Sequence, residues 1–465
     1  MQPLSSALLA SAAARRGLAV WAALATGLLA LGVYLLTLAP DLTSAYFGGD
    51  GGELITAAVT RGIPHPPGYP TYLLLGKLFS YLPMGTVAFR FNLFSAVCTA
   101  AAAALATATA TRLTRENNPY VPVVAGLTFA LTPLVWQQAL ITEVYGLNLL
   151  AAAALLWSVV AGWSPFWRGF LLGLALTTHL TSLLLLPLVL ALTPPRGWLR
   201  LALGLTLGLL PYIWLPWWLH PDSPVVWGDP STLQGWWWLV SGRIYQPNLA
   251  HFDQIELRLT PWLAALARQF AWWGWGLLLP GLWRRRRHRL ALALLGSAGL
   301  YGLYALTYAA VDATVFFLPG LLLLSVLLAF TPPSWGRVCL ILPLTLLALN
   351  FDRISLHHDP SLRLTAQPTL AAAPPRAVLM TMGDESLFTL WYFQAVERQR
   401  ADVILVDANL FAFDWYRRRL SRQHPDLPPL ENDDLTLLHS QTVRPFCVVA
   451  PAAAALLDCT NYDPN

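Results

Sequence analysis

Apolar residues run in long blocks along this chain, broken by short polar or arginine-bearing stretches. The first block, Gly17 to Leu38, follows Arg15-Arg16 and is about 22 residues long. A bilayer core needs about 20 residues and the core of a cleaved leader only about 7–15, so the block predicts a retained first membrane helix. Further blocks follow at about 86–111, 120–137, 143–162, 166–192, 200–219, 260–282, 290–309, 314–330 and 337–350. Lys and Arg are retained on the cytoplasmic side, and they assign the sides here. Arg15-Arg16, Arg112, Arg115, Arg168, Arg196, Arg200, the run Arg284 to Arg289 and Arg337 all fall inside only if 166–192 is two short antiparallel helices parting near Thr178-His179. A polar break at membrane depth must be buried in protein or face a water-filled cavity. The expectation is about eleven membrane segments in residues 1–351, with the N-terminus cytoplasmic.

Two outer loops, 39–85 and 220–258, are too long to be plain connectors. The first contains Tyr69 to Leu82, too short to span and so interfacial or re-entrant. Residues 352–465 change character. Strands at 376–382, 402–407 and near 443–449 alternate with helices at 385–399 and 411–421, predicting a small extracytoplasmic α/β domain. The predicted fold class is therefore an all-α polytopic membrane domain followed by that domain.

Composition removes the other classes. Of 465 residues, 56% are hydrophobic and 11% charged, far below the charge of a soluble surface. Intrinsic disorder needs the opposite balance. The net charge of +5 sits in topogenic clusters, so the bilayer is the expected partner and nucleic acid is not. Cys98 and Cys339 lie in apolar blocks, whereas Cys447 and Cys459 can pair if the tail is extracytoplasmic.

The densest chemistry is Gly48-Gly49-Asp50-Gly51-Gly52-Glu53. Asp50 and Glu53 are placed either to cap and box a helix start or to do acid–base work at the membrane surface. His65 lies in a proline-stiffened turn, Pro64 to Pro70, where a structural role and a phosphate or proton role are both open. Polar residues near the bilayer include Arg90, Asn92, Glu143, Tyr145, Asn148 and His179. Such groups usually face a cavity, though the helix dipole partly accounts for Glu143 and freed backbone groups for His179. In the second loop, Trp227, Asp229 and Arg243 accompany Trp236, Trp237 and Trp238; tryptophans anchor at interfaces and also stack on sugars. Asp384 and Glu385 open a helix, where capping is the default.

Asp50-Gly51-Gly52-Glu53, His65-Pro66-Pro67-Gly68, Ala88 to Leu93, Glu143-Val144-Tyr145, Trp227-Gly228-Asp229-Pro230 and Gly383 to Phe388 form one pattern. It resembles a membrane family long labelled as of unknown function, whose eukaryotic relative is a protein O-mannosyltransferase of plexin-type domains. That family is similar to GT-C glycosyltransferases. The resemblance implies a polyprenyl-phosphate sugar donor, a protein or glycan acceptor, and an acidic base in the first outer loop, matched here by Asp50 with Glu53 beside it. Arg90, Arg243 and His65 are the cations for a leaving phosphate, and Asn92, Glu143, Tyr145, His179, Trp227 and Asp229 complete the expected substrate site. No cofactor is demanded, and a divalent metal is compatible with the two acids. A flippase or transporter for a lipid-linked saccharide, or a non-catalytic scaffold, are the competing readings. Short loops favour a bacterial plasma membrane.

Overall fold

The computed structural model describes residues 3–114, 118, 120–359, 361–449 and 457–459. Among them five helical stretches are long and apolar enough to cross a membrane: Gly17–Thr37, Val87–Leu113, Pro195–Trp218, Arg289–Thr307 and Ala313–Phe330. A sixth is the pair Tyr120–Leu131 and Pro133–Ala139, bent by 64°. The bend falls at Pro133, which has no N–H to continue the ladder. The protein is thus multi-pass, but the described spans do not add up to eleven. The block 143–162 forms a helix of 16 residues, Tyr145–Val160, and 260–282 divides into Ile255–Gln269 and Trp275–Arg284. Arg115, one of the topogenic cations, lies outside the described residues.

Residues 166–192 fold as expected into two short legs. Pro165–Leu176 runs one way; a 3-10 turn, Leu180–Leu185, and the helix Leu186–Ala191 return. Arg168 on the first leg donates to the Leu192 carbonyl (3.1 Å) and the Thr193 hydroxyl (3.2 Å) at the end of the second, so the legs are antiparallel. The break at 177–179 frees backbone groups that need partners at this depth. Asn148 meets one of them: its Nδ2 lies within hydrogen-bond distance of Ala175 O (3.3 Å), and of the Thr178 (2.9 Å) and Ser182 (2.6 Å) hydroxyls, three oxygens that share its two N–H groups. The Tyr212 hydroxyl donates to Leu176 O at 2.9 Å. The first leg lies directly on Trp198–Gly208. A Cβ on Gly169 would stand 1.9 Å from the Leu201 carbonyl oxygen, and one on Gly204 1.9 Å from that of Phe166. Glycines four residues apart let backbones touch where lipid supplies no hydrophobic force between helices.

The tail holds a four-stranded sheet in the order β2-β1-β3-β4, from β1 (Val378–Thr381), β2 (Ile404–Asp407), β3 (Phe446–Val449) and β4 (Leu457–Cys459). β1 is parallel to β2 and β3, while β4 is antiparallel to β3. The first three strands sit on the predicted apolar runs. β4 was not foreseen, since three residues carry too little pattern, and the Cys447–Cys459 disulfide ties it to β3. The sheet's helix Asp384–Trp391 packs against the helix Gly51–Thr60 so closely that a Cβ on Gly52 would meet Phe388 O at 2.2 Å. Arg363 adds a clasp, donating from Nε to Asp41 (2.6 Å) and from both Nη atoms to Glu397 (2.7 and 2.5 Å). Bidentate pairing of this kind fixes geometry as well as charge.

Because Gly52 faces backbone, Gly52→Ala is expected to destabilise the protein by about 1–3 kcal/mol through overpacking. Thermal unfolding in detergent checks this; an unchanged midpoint contradicts the close contact.

Candidate active site

Glu53 stands in the first turn of Gly51–Thr60 and is fully buried. A buried carboxylate must be paired and hydrogen-bonded. Glu53 Oε2 lies 2.5 Å from His65 Nδ1; its Oε1 accepts the His65 backbone N–H (3.2 Å) and the indole N–H of Trp227. Local structure explains the convergence. The run Pro64 to Pro70 cannot continue a helix, and it turns His65 back over Glu53. Ile63 then pairs with Val226 in a parallel bridge (Ile63 N to Val225 O 2.8 Å, Trp227 N to Ile63 O 3.1 Å), which delivers Trp227. Three motifs far apart in the chain therefore meet on one carboxylate.

Beyond Glu53, His65 Nε2 lies 2.8 Å from the Tyr69 hydroxyl and 3.7 Å from Asp50 Oδ2. Burial opposes a charge on His65, but Glu53 and then Asp50 outweigh it and push the pKa up to about 10. Burial also raises Glu53, against the pull of His65. At neutral pH both ring nitrogens of His65 are donors, one toward Glu53 and one toward the Tyr69 and Asp50 side.

Asp50 ends the 3-10 turn Ala45–Asp50. Its side chain makes no capping hydrogen bond to the helix that follows, which removes the capping reading. Instead it borders a cavity of about 480 Å³. Asp50, His65, Glu143, Tyr145, His179 and Trp227 all line this space, from five separate stretches of the sequence. Glu53 does not; it sits behind His65 as a support. Asp384, expected to cap its helix, is instead the first residue inside it, with Gly383 at the cap, and lines the cavity too, so the tail forms part of the wall.

Four other expected site residues are placed elsewhere. Arg90 clasps its own turn, donating to Met84 O (2.8 Å), Ser80 O (2.6 Å) and Gly85 O (3.2 Å). Asn92 is buried, donating to Ala39 O and Asp41 O (both 3.0 Å) while Thr142 donates to its Oδ1 at 2.7 Å. Asp229 accepts the Ser231 hydroxyl within its turn (2.5 Å). Arg243 is exposed beside Gly242 and Tyr245, which line the cavity. Residues that the motifs left out are Tyr69, Tyr245, Tyr308 and Asp312. Asp312 had a legible signal, a single carboxylate isolated between two apolar blocks. Burial, then the charge of Asp50, raises the pKa of Glu143, Asp312 and Asp384. Among the described residues the lining contains no Lys or Arg. Among the described residues no group of three or more His, Cys, Asp or Glu side chains converges to hold a metal ion.

The N-terminal domain of protein O-mannosyl-transferase TMEM260 matches residues 50–196, and TMEM260-associated domain 2 matches 362–444. The chain resembles the TMEM260 family. Protein O-mannosyl-transferase TMEM260 of Mus musculus is 28% identical over 89% of this chain and 65% of its own length. The Dictyostelium discoideum protein of the same name is 32% identical over 27% of this chain and 15% of its own. The chain thus spans just under two thirds of the mouse relative. Among solved structures, ArnT from Cupriavidus metallidurans bound to undecaprenyl phosphate superposes with a TM-score of 0.50 and 14% identity, covering 84% of this chain and 90% of that chain. At that identity the likeness concerns the fold. The TMEM260 matches begin at Asp50 and span every predicted motif except the Trp227 turn, the one supplying the indole to Glu53.

His65 carries a folded pKa above its ordinary 6.5, so its stabilising contribution is full below about pH 6.5 and is lost as pH rises toward 10. The melting-point difference between the wild type and His65→Gln is expected to shrink steadily across that window. A difference that stays flat contradicts a protonated, paired His65.

Proposed function

We propose that this protein is an integral-membrane glycosyltransferase that moves a sugar from a polyprenyl-phosphate donor to an acceptor hydroxyl, with Asp50 as general base. The observation carrying this reading is the placement of Asp50, half-exposed in a cavity and unused by capping, beside the buried Glu53–His65 pair. The cavity also runs out to the apolar surface: Leu183 and Leu249 line it and are 53% and 46% exposed. A lipid tail can remain in the bilayer there while its phosphate and sugar enter.

In this mechanism the acceptor hydroxyl approaches the anomeric carbon from the Asp50 side, and Asp50 takes its proton as the new C–O bond forms. The bond from the anomeric carbon to the phosphate oxygen breaks, and the lipid phosphate leaves with both electrons. Direct displacement inverts the anomeric centre. His65, held cationic by Glu53, supplies positive charge where the phosphate charge develops, and Arg243 at the rim is the second cation in reach of a bound headgroup. Tyr145, His179 and Trp227 give ring faces on which a sugar stacks. Residues 1–351 carry the donor site and residues 352–465 close its wall through Asp384. The side bearing Asp50 is extracytoplasmic in this reading, and the acceptor is a protein or glycan in keeping with the relatives' name.

Transport is the weaker alternative, because it calls for charges along mid-membrane helices. Asp50, His65, Glu143, Asp312 and Asp384 instead come from segments between membrane helices or from the tail. Asp50→Asn, shown by its melting point to be folded, is expected to lower turnover of a polyprenyl-phosphate sugar by at least ~10²-fold. Undiminished transfer by that variant rejects Asp50 as the base.

A further inference from the structure

A second groove lies on the far side of the 45–50 turn, where Phe47 faces away from the cavity that Asp50 borders. It continues into a cleft of about 370 Å³ between Pro133–Ala139, the end of Ile255–Gln269 and the end of Ile341–Ile354. The two grooves share Pro133, Gln137 and Arg268. Their chemistry is opposite to that of the first cavity. Among the described residues no carboxylate lines them, and the cleft holds two guanidiniums, Arg268 and Arg353. Both are exposed, and neither takes part in an ion pair among the described residues.

The surroundings set the depth and the occupant. Trp272 lines the cleft and is 58% exposed, with Trp273 beside it at 42%. Exposed tryptophans of this kind mark the headgroup level of a bilayer. From Arg353 the apolar helix Ile341–Ile354 runs away with Leu349, Leu344 and Ile341 outward, which is a track for an acyl chain. Asp352 precedes Arg353 in the chain but forms no ion pair with it among the described residues, and two cations at headgroup depth above an apolar track complement a phosphate carried on a chain.

We infer that this cleft is a binding site for a membrane phospholipid, its headgroup phosphate held between Arg268 and Arg353 and one acyl chain lying along Ile341–Ile354. The site is distinct from the sugar-transfer cavity and does not depend on the proposed activity.

Native mass spectrometry of the detergent-purified full chain, titrated with phosphatidylglycerol, tests this. The wild type is expected to retain one more lipid than R268Q/R353Q, whose affinity for that lipid falls at least tenfold. R286Q/R287Q, altered at exposed arginines elsewhere, is expected to match the wild type. Diacylglycerol, which has the chains without the phosphate, is expected to be lost from all three. The single variants R268Q and R353Q, each with a partial loss, keep the test readable if the double variant misfolds. Equal retention by wild type and R268Q/R353Q overturns the inference. So does diacylglycerol held as tightly as phosphatidylglycerol, or displacement of the phospholipid from the cleft by undecaprenyl phosphate.

Discussion

A carboxylate with no exposed surface is the constraint around which this molecule is arranged. Glu53 can be ionised there only because His65 and Trp227 saturate it with donors. Meeting that demand draws together the helix Gly51–Thr60, the proline-stiffened turn after it and the 220–258 loop. Removing one partner from a buried pair typically costs about 3–5 kcal/mol, so the three segments are held by more than loop packing. The same pairing leaves an imidazolium beside Asp50, its second nitrogen turned to the Tyr69 hydroxyl and the Asp50 carboxylate at the cavity side. Structural necessity and candidate chemistry are here one interaction seen from its two ends.

The membrane part supplies the walls by breaking its helices. The turn at 177–179 and the short helix Tyr145–Val160 end at the site rather than crossing as simple rods, and the bend at Pro133 borders the neighbouring groove. Each break exposes backbone groups, and each has a designated partner: Asn148 and Tyr212 at the hairpin tip, and Gln269, whose Oε1 accepts Leu134 N at 3.0 Å, beyond the bend. The tail then closes the open side. Its Asp384 reaches the cavity because Gly52 allows the helix Asp384–Trp391 to lie against backbone, and Arg363 anchors it to Asp41. Acid is gathered at the large cavity and unpaired arginine at the neighbouring cleft.

Much of this was legible in the residues. The hairpin of 166–192 followed from charge bookkeeping alone, because a single crossing would have put arginines on both sides. The strands β1 to β3 followed from apolar runs bounded by turns. Asp50, His65, Glu143, Tyr145, His179 and Trp227 were found through motif and intramembrane polarity, and they do share one space. What was not legible was direction. Arg90 and Asn92 sit in a conspicuous motif, yet their side chains turn inward to bind loop carbonyls, and spacing along a helix does not say which polar group is satisfied by backbone. The tyrosines were hidden for a related reason: among so many aromatics, those that face a cavity look like those that face lipid. The count of eleven segments is not confirmed, because broken helices shorten below the length on which counting relies.

A structure of the protein with a polyprenyl-phosphate sugar bound is the most direct examination of this arrangement. The account predicts the phosphate within contact of the His65 side of the cavity, the isoprenoid passing out between Leu183 and Leu249, and the Asp50 carboxylate facing the anomeric carbon across the space for a hydroxyl. A donor seated elsewhere, or with its anomeric carbon turned away from Asp50, contradicts it.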